Sequence, residues 1–204
     1  MGPILVAALG LGIAIVFVRR RSVAIVLVAA QTLLVTASAL ALAPSRSPAF
    51  AIAALVLAVK SVLLTVLLGI AVARSREQRP VSAPLGPLLR LVLTVLLVLA
   101  VNVLVPALPG LDAAVQRSSL GLVFAGAAIV VLRRATILQL IGLLVAENGV
   151  ALAAVTLPGG MPVVIELGAL LDLVVVISVA LVFHDRIFRL HGSGDSAVLR
   201  ELHD

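Results

Sequence analysis

Four ionisable residues lie inside segments of the chain that are otherwise apolar: Lys60, Glu147, Glu166 and Asp172. An ionisable side chain in the hydrocarbon of a membrane costs roughly 2.5–3.5 kcal/mol on insertion scales. Desolvation raises the pKa of an acid and lowers the pKa of a lysine, so that both move toward neutral pH. Groups with such pKa values can exchange protons. We therefore expect these four residues to move protons or ions, or to hold a partner that does.

The composition predicts an integral membrane protein. Hydrophobic residues make up 63% of the 204 residues and charged residues 12%, whereas soluble domains have about 45–50% and about 25%. The chain has no Cys and three His, which excludes disulfides and thiolate-bound metal or iron–sulfur clusters and argues against a haem. We expect no catalytic site, metal or cofactor on this chain, since phosphate-binding loops, catalytic triads and metal-ligand spacings are also missing from its sequence.

Apolar runs of about the 20 residues that a membrane-spanning helix needs fill most of the chain. They predict an all-α, polytopic membrane protein with seven transmembrane helices, at about residues 2–18, 22–43, 50–73, 85–105, 115–132, 136–156 and 162–184. The remaining tail, residues 191–204, is polar and is predicted to be cytoplasmic.

The arginines are distributed unequally between the two sets of loops. One set contains Arg46 and Arg117; the other contains Arg19, Arg20, Arg21, Arg74, Arg76, Arg79, Arg90, Arg133, Arg134, Arg186, Arg189 and Arg200. The positive-inside rule then places the N-terminus outside and the C-terminus inside the cell, in the inner (plasma) membrane. Because topology explains the net charge of +6, we expect no nucleic-acid partner.

Two of the acids are placed symmetrically about a short turn. Glu147 lies 12 residues before Gly159 and Asp172 lies 13 residues after it. With a helical rise of about 1.5 Å per residue, both should lie roughly 18–20 Å from that turn, near the middle of a core of about 30 Å. Lys60 should reach nearly the same layer, and Glu166 lies nearer the outer surface. Two acids and a base at one depth could form a lateral proton path.

Each of these residues also has a structural interpretation. Glu147 could make an interhelical hydrogen bond together with Asn148, Lys60 could be a counter-ion to one of the acids, and Glu166 could be solvated at the interface. Other polar residues in the apolar runs, Asn102 and Gln31, are interpreted as interhelical hydrogen-bonding groups. Gly121 and Gly126 are not at GxxxG spacing and therefore carry little weight as a helix-packing motif.

The segment 142–152, Gly-Leu-Leu-Val-Ala-Glu-Asn-Gly-Val-Ala-Leu, resembles the second helix of the K subunit of respiratory complex I. Residues 165–186 resemble the third helix of that family, with Asp172 at the position of its second buried acid. Two departures are visible: the second acid is Asp instead of Glu, and Glu147 lies one turn after the family's position, which Leu144 occupies here. A shift of one turn keeps the same face of a helix.

The four preceding helices, the Glu-Asn-Gly motif and the His-Gly-Ser-Gly-Asp tail resemble component E of hydrogenase-4, of the membrane-bound [NiFe] hydrogenases. This resemblance divides the chain into a four-helix region 1–112, a K-like region 113–190 and the tail 191–204. It implies a non-catalytic membrane-arm subunit beside antiporter-like subunits, with its acids in a proton-translocation path. The alternatives are a subunit of a multi-subunit Na⁺/H⁺ antiporter and an independent small-molecule transporter.

Overall fold

The computed structural model describes residues 2–42 and 85–156 continuously. In the two remaining stretches it also describes single residues and short groups, namely 55–56, 58–59, 62–63, 66–70, 174, 177–178 and 182. Everything described is helix, turn or loop, and no strand occurs in it. In the two continuous ranges lie five helices, α1 (Gly2–Phe17), α2 (Arg21–Leu42), α3 (Pro87–Leu104), α4 (Ala113–Leu132) and α5 (Thr136–Thr156).

Four of these helices, α2 to α5, are long and apolar enough to cross a membrane, and α1 is apolar but shorter. The sequence predicted spans at all five places, and each predicted end lies within two residues of the observed one. The predicted third and seventh spans lie mostly outside the described residues. The total of seven spans and the orientation in the membrane therefore stay predictions.

Local sequence explains where α3 and α4 begin and end. Pro87 opens α3, at a position where its missing N–H and its fixed φ are favourable. Asp112 is the N-cap of α4, and its Oδ1 accepts hydrogen bonds from the backbone N–H groups of Ala114 (2.8 Å) and Val115 (3.2 Å). The helix ends at Leu132, and its C-cap Arg133 has an extended backbone conformation.

Gln116 holds the loop between α3 and α4 against the first turn of α4. Its Nε2 donates to the carbonyl of Pro106 at 2.8 Å, and its Oε1 accepts from the N–H of Leu108 at 2.8 Å. Gly110, in the same loop, has a φ of 85°, a conformation that residues with a Cβ rarely adopt. These hydrogen bonds and the conformation of Gly110 give the loop between the two helices a defined structure.

The helices form one bundle with a shared core. α4 and α5 are antiparallel neighbours; α1 packs against α2, α3 and α4, and α2 also packs against α5. Buried side chains from α1, α2, α4 and α5 belong to the same core cluster. The predicted division at residue 112 stays a prediction, but the described helices on both sides of it pack directly on one another.

Small residues bring α4 and α5 into backbone contact. A Cβ added at Gly149 would lie 2.6 Å from the carbonyl oxygen of Ser119, and one at Gly126 would overlap backbone atoms of Gly142 and Ala146. The sequence analysis gave Gly126 little weight and did not predict this contact. The residues that Gly126 contacts lie on α5. The small residues of that helix include Gly142 and Gly149, which are seven residues apart, so the GxxxG pattern does not detect them.

Candidate functional site

Glu147 lies close to the middle of α5. It is 11 residues after Thr136, where the helix begins, and nine residues before Thr156, where it ends. The side chain is half-buried within the chain. Its depth in a membrane stays a prediction.

Next to Glu147, a buried polar cluster joins three helices. Asn148 of α5 donates through Nδ2 to Thr32 Oγ1 at 2.8 Å and to Gln31 Oε1 at 3.4 Å, both on α2. Gln31 in turn donates through Nε2 to the carbonyl oxygen of Ala8 on α1 at 3.3 Å. Gln31 and Asn148 are 0% and 1% exposed. We call Gln31, Thr32 and Asn148 the midplane cluster, because Gln31 also lies at the middle of its helix.

The donors and acceptors of the midplane cluster are matched. The hydroxyl of Thr32 donates to the carbonyl of Val28 at 2.8 Å, which leaves its oxygen lone pairs to accept from Asn148. Gly12 of α1 provides the room, since a Cβ at that position would lie 2.7 Å from Gln31 Nε2. In hydrocarbon, where no water competes, such a matched cluster fixes the relative rotation of the helices that it joins.

The interpretation of Gln31 as an interhelical hydrogen-bonding residue is confirmed. Asn102 differs: its Nδ2 donates to the carbonyl of Val98 in its own helix at 2.9 Å. Three of the predicted proton-path residues, Lys60, Glu166 and Asp172, lie outside the described residues. Glu147 is therefore the one member of the predicted set that the structure places.

At the end of the bundle where α1 ends, two buried arginines bind backbone carbonyls at the end of that helix and just after it. Arg90 of α3 donates through Nη1 to the carbonyl of Val16 at 3.3 Å. Arg133 donates through Nη2 to the same carbonyl at 2.7 Å and also to that of Val18. Both side chains are 1% exposed. These carbonyls have no partner within α1 and carry the negative end of its dipole, which arginines satisfy.

The sequence analysis used these arginines as markers of topology and missed this role. Their geometry agrees with the predicted alternation, because both arginines reach the same end of α1. We call Arg19, Arg20, Arg90 and Arg133 the basic end; Arg19 and Arg20 are exposed in the connection between α1 and α2. The sequence feature that could have indicated this role is Arg90, because it lies inside a predicted span and not in a loop.

The charges of the basic end act on one another. Burial, which has the largest effect, and the positive charges of Arg90 and Arg19 together lower the pKa of Arg133 to about 10. At neutral pH the guanidinium of Arg133 is therefore still protonated.

In the part of the chain that the structure describes, no group of three or more His, Cys, Asp or Glu side chains could hold a metal ion.

Comparison with known proteins gives one short similarity. No family model and no solved structure matches the chain. A stretch of 66 residues is 41% identical to part of a Mycobacterium tuberculosis (strain ATCC 25618 / H37Rv) protein named "Uncharacterized protein Rv0085". The match covers 32% of this chain and 30% of that protein, so the chain spans less than a third of the length of this relative. The similarity identifies one shared segment and no function.

Proposed function

We propose that the chain is a non-catalytic subunit of the membrane arm of a complex-I-like, membrane-bound [NiFe] hydrogenase. In this role it contributes buried acids to a proton-translocation path, spans the inner membrane seven times and contacts antiporter-like subunits. The observation that carries the proposal is Glu147, an acid at the middle of an apolar helix of spanning length. Residues with that placement are rare in membrane helices and usually mark ion or proton paths.

The surroundings of Glu147 support a proton-transfer role over a purely structural one. Its neighbour Asn148 already makes the hydrogen bonds that join α5 to α2. The helices α4 and α5 are held together by close backbone packing at Gly126 and Gly149. These contacts account for the association of α5 with α2 and α4 without invoking Glu147.

The first experiment identifies the assembly. An affinity-tagged chain is purified from its own membranes in a mild detergent, and the copurifying proteins and hydrogen–viologen oxidoreductase activity are measured. The proposal expects large and small [NiFe] hydrogenase subunits together with antiporter-like subunits. Antiporter subunits without a hydrogenase would favour the Na⁺/H⁺ antiporter alternative, and an isolated chain would favour an independent transporter.

The second experiment tests the acids within the assembled complex. Glu147→Gln and Asp172→Asn remove the titratable group and keep shape and polarity, whereas Glu147→Asp keeps a carboxyl group. We expect proton pumping in vesicles under redox turnover to fall in the first two variants and to be partly retained in the third. The redox reaction in detergent should persist in all three. Full pumping by an assembled Glu147→Gln, Asp172→Asn double variant would refute the proton-path role.

A further inference from the structure

We propose that the basic end of the bundle binds the phosphate of an anionic phospholipid headgroup, with Arg19 and Arg20 as the residues that contact it. The inference starts from an imbalance of charge. The acids in residues 2–42 and 85–156 are Asp112 and Glu147. Asp112 caps the opposite end of α4 from Arg133, and Glu147 lies near the middle of α5. Within those ranges, no carboxylate faces the four arginines.

The carbonyls of α1 satisfy the two buried arginines in part. Arg90 and Arg133 share the carbonyl of Val16. Nε of Arg90, and Nε and Nη1 of Arg133, are buried and have no hydrogen-bond acceptor among the described residues. Helix carbonyls contribute partial charge, equivalent to about half an elementary charge at the end of a helix. A full negative charge near Arg19 and Arg20 would offset the repulsion within the group.

The position of the basic end favours a lipid as the source of that charge. Its arginines lie at or next to the ends of α1 to α4, and α2, α3 and α4 are long enough to span a membrane. Such helix ends lie where the headgroups of a bilayer begin. Large apolar side chains at the same end are exposed: Phe17 at the end of α1 (51%), and Leu88 (68%) and Leu89 (48%) in the first turn of α3. Exposed arginines beside exposed apolar side chains fit a headgroup with its acyl chains, and basic sites between membrane helices bind such headgroups.

The test measures lipid-dependent stability of the full-length chain. The protein is reconstituted in nanodiscs of phosphatidylcholine, or of phosphatidylcholine mixed with phosphatidylglycerol, and its thermal unfolding is followed by circular dichroism. The affinity for phosphatidylglycerol is measured in parallel by native mass spectrometry. We expect phosphatidylglycerol to raise the unfolding temperature. An Arg19→Gln, Arg20→Gln double variant should lose that increase and bind phosphatidylglycerol roughly 10- to 30-fold more weakly, from the typical contribution of two arginines near an anionic surface.

Arg117 supplies the matched control, because it is an exposed arginine near the opposite end of α4. Arg117→Gln should keep the full response to phosphatidylglycerol. An equal response in the wild type and the double variant, or an equal loss in Arg117→Gln, would overturn the site. In phosphatidylcholine nanodiscs, inorganic phosphate should leave the unfolding temperature unchanged; an increase as large as that from phosphatidylglycerol would overturn the assignment to a lipid. No response to phosphatidylglycerol in the wild type would overturn the proposal itself.

Discussion

Replacing Gly149 by alanine should force α4 and α5 apart beside the proposed site. The new Cβ would lie 2.6 Å from the carbonyl oxygen of Ser119 and 2.9 Å from both Leu122 Cβ and Val123 N, where ordinary contact begins at 3.4 Å. The difference for the nearest atom, 3.4 − 2.6, is 0.8 Å. Because two of these three atoms belong to the backbone of α4, the helices must move, and overpacking of this kind costs about 1–3 kcal/mol.

Gly10→Ala is the control for that substitution. Gly10 is exposed in α1, and a Cβ there would meet no atom within 4 Å. Both substitutions gain helix propensity of about 0.8–1.0 kcal/mol, so the difference between the two variants isolates the contact with α4. The free energy of unfolding, measured by sodium dodecyl sulfate titration in mixed micelles, should be about 1–3 kcal/mol lower in Gly149→Ala than in Gly10→Ala. Equal values would refute the backbone contact between α4 and α5.

Three further outcomes follow from the described contacts. In a double-mutant cycle, Asn148→Leu and Thr32→Val should show a coupling free energy of about 0.6–1.7 kcal/mol by the same titration, and a value near zero would mean that their hydrogen bond does not stabilise the bundle. Asp112→Ala should lower the free energy of unfolding by about 0.5–2 kcal/mol through loss of the α4 N-cap, whereas Asp112→Asn should retain most of it. Since the pKa of Arg133 is lowered to about 10, the folded chain binds fewer protons than the unfolded chain above that pH. Stability should therefore rise with pH from about 10 toward the ordinary arginine value, more steeply in the wild type than in Arg133→Gln.

The helices were predictable because their signal is the length of apolar runs. A span needs about 20 apolar residues, and charged or helix-breaking residues such as Arg133 and Pro87 mark the ends. The buried face of each helix was not predictable in the same way. Lipid is as apolar as a protein core, so side chains facing either one have similar composition. Exposed Leu88 and buried Leu122 therefore look the same in the sequence.

The candidate site was predictable where it depends on a rare residue type at a given depth. Glu147 is such a residue, and its place in the middle of α5 could be counted from the sequence. The burial of Arg90 and Arg133 could not be predicted from the sequence. The positive-inside rule accounts for an arginine at a helix end whether the side chain faces water or a neighbouring helix. Their partners are the backbone carbonyls of Val16 and Val18. Every residue has such a carbonyl, so the residue types at these two positions do not reveal the contact.

The contacts of α1 and α2 predict what happens when the chain is divided near the predicted boundary at residue 112. Without α1 and α2, Asn148 would lose Thr32 and Gln31, and Arg133 would lose the carbonyls of Val16 and Val18. Each loss leaves a buried polar group without its partner, which is costly in hydrocarbon.

A division before Gly110 preserves the N-cap that Asp112 provides for α4 and cuts a loop outside the helices. We expect fragments 1–109 and 110–204, expressed together, to copurify as one bundle in detergent. Fragment 110–204 expressed alone should be degraded or aggregate. Combining Asn148→Leu in the second fragment with Thr32→Val in the first should weaken the copurification, whereas Gly10→Ala in the first should leave it unchanged. If fragment 110–204 were stable and monodisperse alone, α1 and α2 would not be needed to satisfy the polar groups of α4 and α5. The predicted region 113–190 would then fold independently.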